Sequence, residues 1–145
     1  MDIHVLAAMK HFVTVTKLHP ILVNFTAALV PTSVASDLLA VCLKSRPLQD
    51  TGRLTMLYAA LITPFTVAAG WLFWMKDDNG DPGMTMHKWL GTSLAVLLIG
   101  LMSWRLKFNR QDQKVSGLYL LFGFAFVALL IFQGYLGGTK VFDGM

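Results

Sequence analysis

Residues 17–30 read KLHPILVNFTAALV. A histidine and a proline stand at the head of an apolar run that continues to Leu43, PILVNFTAALVPTSVASDLLAVCL from Pro20, with Asp37 as its one charged side chain. A helix needs ~20 mostly apolar residues to cross hydrocarbon, and this run meets that length. Proline at a helix start loses no hydrogen bond, because the first N–H groups have no intrahelical acceptor. The stretch predicts a membrane-spanning helix with an imidazole at its mouth.

Three further runs repeat the pattern at about 54–74 (LTMLYAALITPFTVAAGWLFW), 87–104 (HKWLGTSLAVLLIGLMSW) and 115–138 (VSGLYLLFGFAFVALLIFQGYLGG). Hydrocarbon offers the backbone no partners, so each run is expected as a helix. The 145 residues are 55% hydrophobic and 14% charged, and all eight acidic residues are Asp. Mean hydropathy is +0.59. A soluble domain carries more charge and places Glu on its wet helix faces. The net charge of +4 falls in short loops, which fits membrane topology and not nucleic-acid binding. The single Cys42 has no partner for an internal disulfide and reads as a small buried apolar residue.

The expected fold is all-α: an integral membrane four-helix bundle with up-down-up-down topology over 18–145, preceded by an interfacial amphipathic segment at 1–17. Residues 1–17 lack the basic start, apolar stretch and small-residue cleavage site of a secretory signal. Ile3, Val5, Leu6, Met9, Phe12 and Val13 are expected to form the apolar face of a helix lying in the interface, bending into the first span at His19-Pro20. Short connections make neighbouring helices antiparallel. Residues 44–53 and 105–114 then share one side with seven Lys/Arg: Lys44, Arg46, Arg53, Arg105, Lys107, Arg110 and Lys114. The other side holds Lys10, Lys17, Lys76, Lys88 and Lys140. The positive-inside rule places both termini outside the cytoplasm. Trp71, Trp74, Trp89 and Trp104 fall near span ends, as an aromatic belt does. Pro31 and Pro64 are expected to kink their helices. Gly134 and Gly138 have the small-xxx-small spacing of close helix packing, within the bundle or against a second copy. No internal repeat is strong enough to claim.

The four histidines, His4, His11, His19 and His87, all fall on the outer side. His19 precedes the first span and His87 opens the third. In an up-down-up-down bundle those two helices face each other on a diagonal, so the two imidazoles can reach a common centre. A b-type haem, one or two per chain, fits that geometry with His19 and His87 as axial ligands. Gly91, one turn below His87, leaves room for a ring. Gln133 and Tyr135 are candidates for hydrogen bonds to a ligand imidazole or a propionate, and Lys17 and Lys88 for neutralising propionates. A zinc or copper site would need further ligands from His4, His11 or Asp81. Histidines at an interface also serve simply as amphipathic residues at helix ends, and His4 and His11 are read that way or as extra metal ligands.

The ordered set His19-Pro20, Val23, Phe25, Asp37-Leu38-Leu39, His87 and Gly137-Gly138, followed by Val141-Phe142, resembles a bacterial four-helix membrane family known as domain of unknown function 2231. The resemblance covers roughly 18–145. It implies a haem-binding domain of a bacterial inner membrane working beside redox proteins, which with the charge bias is expected to put both termini in the periplasm. The family's second early histidine is Asn24 here, and its proline is Thr26, so a ligand at that place is lost or replaced, with His4 or His11 as substitutes.

Asp37 lies well inside a span, where a carboxylate costs about 2.5–3.5 kcal/mol and needs a partner. Ser33, Ser36, Tyr58, Arg53 and Arg105 are the candidates. The function expected is electron carriage near the outer membrane face, with a redox partner protein or quinone, by an electron-transfer protein or subunit more than an independent enzyme. The rivals are a haem-free scaffold or accessory subunit, alone or as a homo-oligomer, and a small ion or metal transporter. The polar inventory within the spans is thin for a transporter.

Overall fold

The computed structural model describes residues 2–73, 82–107 and 115–142, residues 140–142 by their backbone alone. Five helices follow one another: α1 Ile3–Val15, α2 Leu18–Leu43, α3 Arg46–Phe73, α4 Pro82–Lys107 and α5 Gly117–Phe142. The last four are long and apolar enough to cross a membrane. At 1.5 Å per residue, the 26 residues of α2 span about 39 Å, more than the ~30 Å hydrocarbon core. The chain is an all-α membrane protein, as its hydropathy dictates.

The helices outrun the apolar stretches at their polar ends. α3 begins at Arg46, so most of the expected 44–53 loop is its first two turns. Pro47 sits in the first turn, where its missing N–H costs nothing. α4 begins at Pro82 for the same reason and runs on to Lys107. Arg105, expected in a loop, is therefore inside the bundle. Trp74, Lys76, Asp81, Arg110 and Lys114 lie outside the described residues. α2 and α3 run on through Pro31 and Pro64. The break between α1 and α2 comes at Lys17, which is left-handed at φ 49°, and not at His19-Pro20. Pro20 is tolerated in the first turn of α2, so it bends nothing.

α2 packs on α3 and α5, and α4 packs on the same two, while α2 and α4 do not pack directly. The four form a square with α2 and α4 on one diagonal. Val30, Val34, Met56, Leu94, Leu98, Tyr119 and Phe126 fill its centre. α1 rests on α3 and α2 through buried Val13, leaving Ile3, Val5, Met9, Phe12 and Val15 exposed. That outward apolar face matches an interfacial helix. A Cβ built on Gly134 or Gly138 would meet nothing within 4 Å among the described residues, so neither glycine is required for a close helix approach within the bundle. Cys42 is exposed rather than buried.

At one end the diagonal is closed by an ion pair. Arg105 Nε donates to Asp37 Oδ2 at 2.9 Å, and Nη2 to Asp37 Oδ1 at 2.8 Å. Nη2 also donates to the Gln49 carbonyl at 2.8 Å, which brings in α3. Both charged side chains are buried. Ser33 donates to the Gly52 carbonyl at 2.6 Å, and Gly52 lies against the Asp37 carboxylate so closely that a Cβ would overlap it. The carboxylate inside the span thus has the partner it needs, a bidentate pair of the strong kind.

Removing one partner should be far worse than removing both, because the survivor is left buried and uncompensated. Arg105→Leu is expected to cost about 3–5 kcal/mol in equilibrium unfolding of the detergent-solubilised protein. The double variant D37L/R105L should recover most of that loss.

Candidate functional site

The opposite end of the diagonal is open. His87 follows His19 by 68 positions, and Arg105 follows Asp37 by the same 68. Each histidine stands 18 residues before its helix's half of the ion pair, about 27 Å along the axis. The two imidazoles therefore face each other at one depth, across the space the ion pair closes at the other end. Their ring centroids are 6.5 Å apart with planes at 88°.

Each ring is fixed from a neighbouring helix. His19 Nδ1 lies 2.9 Å from the Thr66 carbonyl of α3, and His87 Nδ1 lies 3.2 Å from the Gln133 carbonyl of α5. A carbonyl only accepts, so both Nδ1 atoms carry the proton and both Nε2 atoms keep a lone pair. This is the arrangement that prepares an imidazole to bind metal through Nε2. One turn beyond each carbonyl is a glycine on which the ring rests. A Cβ at Gly70 would fall 2.8 Å from His19 Cε1, and one at Gly137 would fall 2.6 Å from His87 Cε1. Gln133 follows Thr66, and Gly137 follows Gly70, by 67 positions. The hairpins α2–α3 and α4–α5 thus repeat one device: histidine, carbonyl, glycine. Sequence reading missed this repeat, since its matched residues are few and scattered.

Beside the imidazoles the halves differ at a complementary pair of positions. Where α2 has Val23, α4 has Gly91, and where α3 has Thr66, α5 has Gln133. The Gln133 carboxamide fills the space over Gly91, whose Cβ would lie 2.8 Å from Gln133 Nε2. That amide donates to the His87 carbonyl at 2.8 Å and stands 3.5 Å from His87 Nε2. Gln133 Oε1 is buried without a partner. The room expected over Gly91 for a ring is taken by this side chain.

Between the imidazoles lies a cavity of about 120 Å³, about 830 Å³ with its open mouth, to which all four long helices contribute. On the smaller measure a single water needs roughly 10–15 Å³. Its walls are mostly apolar, with Val23, Leu94, Phe126 and Leu130 among them. Trp71 and Lys88 belong to the lining too, with the Lys88 ammonium 5.5 Å over the Trp71 ring. Trp71 meets Trp89 edge to face at 5.7 Å and donates to Thr92 Oγ1 at 3.1 Å.

Of the sequence-predicted site residues, the structure brings together His19, His87, Gly91, Gln133 and Lys88. Lys17 is exposed at the α1–α2 break and is not part of the lining. Tyr135 is 66% exposed, turned away from the cavity. His4 and His11 are exposed on α1 and are not brought to the cavity. Asn24, at the family's second histidine, is exposed and outside the lining as well. Five residues from His19 on a helix is a different face, so that departure leaves the cavity intact. Among the described residues no group of three or more His, Cys, Asp or Glu is placed to hold a metal ion. Gly70, Gly137 and Thr66 were not anticipated as supports; only their contact with the rings marks them.

The chain belongs to the family described as "Predicted membrane protein (DUF2231)", whose model matches residues 16–144. No curated protein matches it, and no solved structure does.

The tautomer assignment is directly observable. Nitrogen-15 spectra of histidine-labelled, metal-free protein should show His19 and His87 as the neutral Nδ1–H form. In Gly137→Ala the His87 signal should change while that of His19 stays in place.

Proposed function

We propose that this membrane protein is a b-type cytochrome whose haem is held by His19 and His87 near the outer membrane face. The observation that carries the reading is the pair of imidazoles from diagonal helices, 6.5 Å apart, each with Nδ1 committed to a backbone carbonyl. Metal–imidazole bonds are roughly 2.0–2.1 Å, and ring centres at this separation suit one metal between two imidazoles. Two protein ligands do not complete the tetrahedral shell of a structural zinc. A metal that brings its other donors with it, as haem does, needs no more than these two.

Haem, when bound, supplies a one-electron couple, and ligation on both sides favours electron carriage over oxygen binding. The chain's own residues supply the rest. Thr66 and Gln133 orient the imidazoles through their carbonyls and strengthen them as ligands. Gly70 and Gly137 let the rings lie flat on α3 and α5. Val23, Leu94, Phe126 and Leu130 exclude water. Lys88 offers positive charge at the lining for a carboxylate.

Visible spectra of the purified protein, air-oxidised and then dithionite-reduced, test the reading. The expected result is a sharp Soret band with narrow α and β bands on reduction, lost in His19→Ala and in His87→Ala. Free imidazole should restore part of the signal in His87→Gly. A protein that stays colourless when expressed with added haem overturns the cytochrome reading and leaves the two histidines as helix-end supports.

A further inference from the structure

His19 and His87 line one cavity but are not equally open to it. Nε2 of His19 makes no hydrogen bond among the described residues and is not occluded. On the other side a single residue, Gln133, holds three polar groups of His87. Its backbone carbonyl accepts from Nδ1 at 3.2 Å. Its carboxamide nitrogen donates to the His87 carbonyl at 2.8 Å and stands 3.5 Å from His87 Nε2. The His87 carbonyl only accepts, so the carboxamide atom that faces it is the nitrogen. That nitrogen carries two N–H groups. One goes to the carbonyl, and the second is left for the Nε2 lone pair. Nothing comparable covers His19, because Thr66 stands at the matching place and its hydroxyl donates to the Ile62 carbonyl.

The same carboxamide fills a second place. A Cβ on Gly91 would fall 2.8 Å from Gln133 Nε2, so the group occupies the floor that the missing side chain leaves free. A flat ring over Gly91 and a metal bond to His87 are barred together by one group and opened together by moving it. The group is held lightly. Gln133 Oε1 is occluded and accepts from no donor among the described residues. A buried acceptor left unpaired costs about as much as the two N–H contacts gain. Moving the carboxamide takes a change of side-chain rotamer and no shift of α5.

We propose that Gln133 is a latch on His87: the two imidazoles engage in order, His19 first, and His87 only after the Gln133 carboxamide swings off its Nε2 and off Gly91. Gln133 is a positioning residue in this scheme and acts through His87. The proposal rests on the haem reading for its purpose, an ordered loading of the site. The unequal openness of the two imidazoles belongs to the haem-free chain and stands apart from that reading. It also gives the difference between the hairpins a role. The α2–α3 half holds a ring, and the α4–α5 half holds a ring and covers it.

The first measurement needs no haem. Diethyl pyrocarbonate carbethoxylates an imidazole at its unprotonated nitrogen, here Nε2. Peptide mass mapping of the full chain, purified free of haem, then gives a rate for each histidine. His4 and His11, exposed on α1, set the unhindered rate. His87 should react about tenfold more slowly than His19, the effect of one good hydrogen bond to the lone pair. In Gln133→Ala the His87 rate should rise about tenfold while the His19 rate stays. Gly91→Ala keeps Gln133 and puts a methyl where its amide lies, so it should expose His87 to the same extent. That variant also replaces a glycine inside a helix, which favours folding. The second measurement is haem titration into the same preparations. The native protein should pass through a high-spin spectrum before the low-spin spectrum of two imidazoles, and Gln133→Ala should reach the low-spin form in one phase. His19 no faster than His87 in the native protein overturns the latch, as does a His87 rate that neither variant changes or a native titration in one phase. Equal rates in a protein that takes up haem sink the latch and leave the cytochrome reading standing. Unequal rates, equalised by the variants, in a protein that takes up no haem do the reverse.

Discussion

The bundle depends on a charge pair that a membrane interior penalises. Asp37 and Arg105 sit on helices whose backbones do not approach each other directly, and their bidentate contact spans the diagonal at one end. Neither residue is tolerable alone in hydrocarbon. Together, with Gln49 accepting from the guanidinium and Gly52 making way for the carboxylate, they tie α2, α3 and α4 at one level. Register along α2 and α4 follows. Because each histidine is 18 residues from its partner in the pair, fixing one end brings the imidazoles level at the other. The same contact that ties the helices at one end aligns the imidazoles at the other.

Much of this was legible in the sequence. Four runs of spanning length fixed the class, short connections fixed the antiparallel order, and the diagonal then followed for His19 and His87. The partner of Asp37 was one of five candidates, and sequence had no means to choose among them. Arg105 looked like a loop cation because the apolar run stops at Trp104. Helix propensity continues past the end of hydrophobicity, and that is where the reading failed, as it did for 44–53. Cys42 was misjudged for a related reason. In a membrane protein an exposed position is apolar too, so hydrophobicity no longer separates core from surface.

The supports of the imidazoles were illegible for another reason. A backbone carbonyl has no sequence signature, and a glycine under a ring looks like a glycine in any tight helix contact. Gly134 and Gly138 had the more conspicuous spacing, yet Gly137, between them, is the one that touches His87. Only once Thr66 with Gly70 is set beside Gln133 with Gly137 does the two-hairpin repeat emerge. Its conserved parts are the groups that hold a ring: a histidine, a carbonyl in register and a missing side chain.

A symmetric cradle makes its asymmetry informative. Between the ion pair and the imidazoles the centre is packed with Val30, Val34, Met56, Leu94 and Leu98. Lys88 and Trp71 mark a mouth at interfacial depth, while the unpartnered oxygen of Gln133 lies inside, on the half of the cradle that breaks the repeat. The two hairpins divide the work accordingly. Both hold an imidazole, and the second alone covers it with a side chain, Gln133, which lies over Gly91 and donates to the His87 carbonyl.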